Sequence, residues 1–79
     1  MAITHAEFGK IRGWGRALAA NGDESAAFRA AEWIVIADPQ EAQSLRWEFL
    51  EGVRNYALNM DHYFQCMDAL EAKVSEIRA

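Results

Sequence analysis

Apolar residues in the second half of the chain keep one rhythm. Phe49, Val53, Tyr56, Met60, Tyr63, Met67, Leu70, Val74 and Ile77 are separated by alternating steps of four and three. That spacing holds side chains on a single stripe of a helix and is the seam of a coiled coil or helical bundle. Ala42 fits one heptad further back, and Arg46 interrupts the row. Leu50, Ala57 and Phe64 widen the stripe on one side, which a two-stranded coiled coil does not need and packing against further helices does.

Two shorter helical patterns precede the seam. Thr4-His5-Ala6-Glu7 has the form of a capping box, in which Thr4 accepts from the Glu7 backbone N–H and the Glu7 carboxylate reaches back. It predicts a first helix over 5–20, with Phe8, Ile11, Trp14, Gly15 and Leu18 on its apolar stripe and Asn21-Gly22 as its stop. The helix is a weak one, because Gly9, Gly13 and Gly15 each cost roughly 0.8–1 kcal/mol against alanine. Asp23 caps a second helix over 24–37, whose only polar strip is Ser25, Arg29 and Glu32, so it is expected to be buried nearly all round. The β-branched stretch Trp33 to Ala37 also suits a short strand, but it has no partner to pair with, and the helix is preferred.

Asp38-Pro39 is the clearest boundary, a capping residue followed by a proline suited to the first helical turn. From there a third helix is predicted over 39–78. One unbroken helix of that span is roughly 60 Å long, against a diameter of about 30 Å for a globule of this size. The first two helices cannot cover such a seam, so either the helix breaks or a partner covers it. A break is expected first at Asn59-Met60-Asp61, with Asp61 capping a new helix from His62, and next at Gly52. The seam stays in phase across Met60, which favours the continuous helix. The expected fold is therefore a small all-α bundle of three helices, or four if the long one breaks, with the C-terminal helix dimerised along its seam.

Composition narrows the function classes. The chain has 79 residues, an apolar fraction of 52% and a single cysteine, Cys66. Intrinsic disorder and an intramolecular disulfide are excluded, and oligomerisation is left as the source of extra buried area in so small a chain. No apolar run approaches the ~20 residues that span a bilayer. No signal peptide is visible at Met1 to His5, and a cytoplasmic location without membrane attachment is expected. The net charge is −4, unevenly spread. Lys10, Arg12 and Arg16 outweigh Glu7 in the first twenty residues, and the remainder holds five basic residues against eleven acidic ones. Phosphate backbones repel such a surface, so nucleic acid is a disfavoured partner except at the basic first helix.

Candidate chemistry is sparse. His62 and Cys66 are four apart and share a helical face, but two ligands are too few for a structural zinc site. His5 sits in the capping box, and Asp61 and Asp68 lie on the polar face of the long helix. No phosphate-binding loop is present, since Gly9, Gly13 and Gly15 fall inside a helix. No cofactor, metal or catalytic group is assigned, and an enzyme is not expected.

Two features read as binding surfaces. Trp47 and Leu58 share the outer face of the long helix with Glu51 and Arg54, and an exposed tryptophan beside charges is a typical interface anchor. Trp47 could equally fold back over the second helix or the Asp38 turn. The Gly9/Gly13 face of the first helix, flanked by Arg12 and Arg16, would admit another backbone closely. The size and composition resemble those of small regulators and inhibitors of bacteria and their phages. A protein-binding regulator or inhibitor is expected, covering a surface of a larger host protein as a homodimer. A dimeric nucleic-acid-binding regulator using the first helix is the alternative.

Overall fold

The computed structural model describes residues 4–79. Residues Met1 to Ile3, read above for a leader, lie outside the described residues. Four helices and no strands make up the described chain: α1 His5–Asn21, α2 Glu24–Ile36, α3 Pro39–Arg54 and α4 Met60–Arg78.

Local capping chemistry sets three of the boundaries. The Thr4 hydroxyl accepts from the Glu7 backbone N–H at 3.3 Å and donates to the Glu7 carboxylate at 3.2 Å. The carboxylate thus reaches back to the hydroxyl, where the capping box has it reach the backbone. Gly22 ends α1 in the left-handed conformation, its N–H bonded to the Leu18 carbonyl and the Asp23 N–H to the Ala17 carbonyl. Asp23 accepts from the Ser25 and Ala26 amides and Asp38 from the Glu41 amide, with Pro39 opening α3.

The fourth boundary corrects the expectation of a continuous helix. The chain leaves α3 at Arg54, turns through Asn55 to Asn59 and re-enters a helix at Met60. Asn59, extended in backbone, is the N-cap and accepts from the His62 amide at 2.9 Å. The expected cap, Asp61, lies inside the first turn of α4 instead. Folding back shortens the molecule to 34 × 30 × 18 Å. It also removes the reason for a dimer that seam length supplied, since α3 and α4 now bury their stripes within one chain.

Packing runs mainly between α1 and α3 and between α2 and α4. The largest fully buried side chains are Phe49, Ile11, Ile34, Leu45, Leu70 and Val53. The buried face of α2 is a stripe of alanines (Ala26, Ala27, Ala30 and Ala31) ending on Ile34. It is not buried all round: Phe28 is 41% exposed and Ile36 79%. The small side chains of this stripe let neighbouring helices approach closely, and its period is helical to Ile36, so the strand alternative is not realised.

The α1–α3 crossing depends on two glycines. A methyl group on Gly15 would overlap the Phe49 carbonyl oxygen, and one on Gly52 would overlap the Arg12 carbonyl oxygen. Gly52, read above as a weak point, is a buried contact inside α3. Gly9 and Gly13, read above as the close-approach face, have nothing within 4 Å of an added methyl.

Candidate protein-binding surface

Capping and the fold-back together decide which seam residues remain at the surface. Phe49 and Val53 on α3, and Leu70 and Val74 on α4, lie in the core. Tyr63, Met67 and Ile77 are half-buried. Tyr56 and Met60 flank the turn and are 45% and 64% exposed. The row read as one seam is thus two core stripes joined through surface positions.

Tyr56 and Met60 are joined near that turn by two more of the exposed apolar residues, while Phe28, Ile36 and Trp47 stand elsewhere. Leu58 is 84% exposed and Phe64 46%. Met60 and Phe64 are one helical turn apart on α4, and the Phe64 ring packs edge-on against Tyr63 at 5.6 Å between centroids. An open groove of about 530 Å³ at the same place is lined by Arg54, Ala57, Asn59, Met60 and Tyr63. Tyr56, Leu58, Met60 and Phe64 thus stand exposed at the turn and the start of α4, and of these Met60 lines the groove.

The turn itself is hydrogen-bonded. The Val53 carbonyl accepts from the Tyr56 and Ala57 amides at 3.0 and 2.8 Å. The Leu58 amide donates to His62 Nδ1 at 3.0 Å, and the His62 amide donates to the Asn59 side chain. His62 therefore serves the turn. Cys66, read as sharing a helical face with it, is buried in the core, and burial pushes its thiol above the ordinary range. Among the described residues no group of three or more His, Cys, Asp or Glu side chains is gathered around a point.

The remaining candidate residues fall into separate places. Trp47 is 65% exposed and lines a shallow groove with Phe8 of α1, Gln43, Ser44 and Glu48. It covers neither α2 nor the Asp38 turn. Glu51 and Arg54 pair with each other at 3.4 Å on α3. The helix break puts Leu58 on the turn, so it no longer shares a helical face with Trp47. Arg46, the residue that interrupts the seam, ties α3 to α4 through two hydrogen bonds with Glu71 at 2.7 and 3.0 Å.

The basic residues of α1 straddle the Gly52 contact. Arg12 reaches Glu48 with Nε and Nη2 at 3.0 and 2.8 Å. The Arg16 guanidinium stands 5.4 Å from the centroid of the Tyr56 ring. Beside them a second groove, about 270 Å³, runs along Gly9 and Gly13 to Asn55 and Tyr56.

Sequence reading assigned Tyr56 and Met60 to the seam and Phe64 to the stripe beside it, and all three stand at the surface. The available signal was Asn59, a strong N-cap followed by Asp61 in the first-turn position that favours acidic residues. Among the described residues no helix is long and apolar enough to cross a membrane. No family model, curated protein or solved structure matches the chain.

Proposed function

We propose that this chain is a small protein-binding regulator or inhibitor that acts by covering a surface of a larger host protein. The observation that carries the reading is the exposure of Tyr56, Leu58, Met60 and Phe64 at the α3–α4 turn and the start of α4, beside a groove that Met60 lines. Leaving large apolar side chains in water forgoes roughly 25 cal/mol for every Å² that burial would remove. Contiguous apolar patches rimmed by polar residues are typical of docking sites.

Homodimerisation belongs to this proposal chiefly through the turn, because Phe49, Val53, Leu70 and Val74 of the seam are buried and Tyr63, Met67 and Ile77 half-buried. The long alternative, a nucleic-acid-binding regulator, loses support from Arg12, which is engaged by Glu48.

The test is an affinity pull-down from the native host with the wild type and with Leu58→Asp/Met60→Asp, read by mass spectrometry. A host protein captured by the wild type and lost by the variant is the expected result. Equal capture by both, with the variant folded by circular dichroism, would remove the turn from the binding surface. A light-scattering mass on both proteins reports whether a second copy is the occupant.

A further inference from the structure

The groove beside the apolar turn has the chemistry to choose the partner. Gly9 and Gly13 form its floor, and Arg12, Arg16, Asn55 and Tyr56 stand around it. Nothing in the chain meets a methyl group at either glycine, so packing within the bundle does not call for glycine there, although it weakens the helix. The floor is open to whatever enters.

Its cationic groups are already in place. Arg12 is held by Glu48 through two hydrogen bonds to the same carboxylate oxygen. Arg16 rests over the Tyr56 ring, and among the described residues no carboxylate lies within ion-pair distance of it. A guanidinium ordered by an aromatic face, with its donors unused, suits a planar carboxylate. Tyr56 lies in the Asn55–Asn59 turn, 45% exposed, and walls this groove.

We infer that the partner docking on this end presents an acidic side chain beside an apolar one. The carboxylate enters the groove toward Arg16, and the apolar residue settles against the exposed Tyr56 ring. This rests on the turn being the docking surface and adds the partner's chemistry to it. Charge complementarity commits the occupant. Residues 21–79 carry eleven acidic groups against five basic ones, so an acidic segment is turned away over most of the molecule and admitted at this face of α1. Such local complementarity fixes orientation more than it adds affinity. A nucleic acid would lay successive phosphates across the same acidic surface, with Arg12 already occupied.

The experiment titrates the ¹⁵N-labelled full chain with two short amphipathic peptides. One carries Leu and Phe interleaved with Glu, and the other has Lys at every Glu position. The Glu peptide is expected to shift the amides of Gly9, Gly13, Asn55, Tyr56 and Met60, more weakly as salt is raised. Arg16→Gln should weaken it about tenfold, the weight of one charge-assisted hydrogen bond. Gly13→Leu, at a position where an added Cβ has nothing within 4 Å, should block the groove and leave helicity intact.

If both peptides shift Tyr56 and Met60 alike and Arg16→Gln changes neither, the acidic partner is overturned while the docking surface stands. If neither peptide shifts turn or groove, both readings fall. If a DNA duplex shifts the groove amides and the Glu peptide does not, the occupant is nucleic acid and the inference is overturned.

Discussion

Gly52 of α3 is seated on the backbone of α1 at Arg12, where a methyl group would overlap the Arg12 carbonyl oxygen and stand 2.9 Å from the Arg16 amide nitrogen. The neighbours are backbone atoms inside a helix and cannot swing aside. Gly52→Ala must therefore push α1 and α3 apart, and the same holds for Gly15→Ala against Phe49. Each substitution is expected to destabilise the fold by ~1–3 kcal/mol or more. Gly9→Ala and Gly13→Ala meet nothing and should stabilise α1, by ~0.8–1 kcal/mol each. Urea unfolding of the four variants checks this, and a Gly52→Ala protein as stable as the wild type would disprove the close crossing.

The contrast between these glycines shows where sequence reading stops. Thr4, Asp23 and Asp38-Pro39 were legible because a cap acts on amides two or three residues away, within the reach of local pattern. Gly15 and Gly52 were not, because their meaning lies in a partner thirty or more positions distant. The break at Asn55 to Asn59 was hidden for another reason. Periodicity reports angular phase alone, and two separate helices that each bury one stripe can continue each other's phase by coincidence. Tyr56 and Met60 completed the seam on paper while standing at the surface. The partner surface was legible only as a list. Arg12, Arg16, Arg54 and Leu58 could be named, but not their places: Arg12 and Arg16 line one groove, Arg54 another, and Leu58 stands on the turn.

Acid should loosen α2 and α3 at their N-termini. The Ser25 hydroxyl, then the Ala26 and Ser25 amides and the nearby Arg29, hold the Asp23 carboxyl below its usual range. The Glu41 amide does the same for Asp38. A carboxyl lowered on folding contributes stability that is present above its unfolded value of about 3.9 and is lost as pH falls through the folded value. Thermal melts should therefore hold steady in mildly acidic buffer and decline below about pH 4. In an Asp23→Asn/Asp38→Asn protein, which keeps a capping oxygen without the titration, that decline should be shallower. An unchanged slope would take these caps out of the acid response.

Alkali acts through Cys66. Burial raises its thiol, so the unfolded chain releases a proton at lower pH than the folded one. Stability is then complete below the unfolded thiol value, about 8.5, and falls as pH rises through the folded value. Cys66→Ala should flatten that decline while costing some packing beside Leu70 and Val74. A thiol reagent such as a disulfide-exchange dye should react with the native protein far more slowly than with the urea-unfolded chain. Equal rates would place Cys66 at the surface.

His62 is expected to hold the docking turn through its side chain. Its Nδ1 accepts from the Leu58 amide at 3.0 Å, while Asn59 caps the His62 amide. The Leu58 bond is exposed, so its loss should cost global stability only ~0.5–1 kcal/mol. Its local effect is larger, because the turn sets where Leu58 and Met60 stand. Hydrogen exchange at the Leu58 amide should therefore be faster in His62→Ala than in the wild type, while the amides of the α4 interior keep their protection. Protection of Leu58 that survives the substitution would mean that the imidazole does not hold the turn. Partner capture should weaken in His62→Ala, although the exposed apolar residues themselves are unchanged.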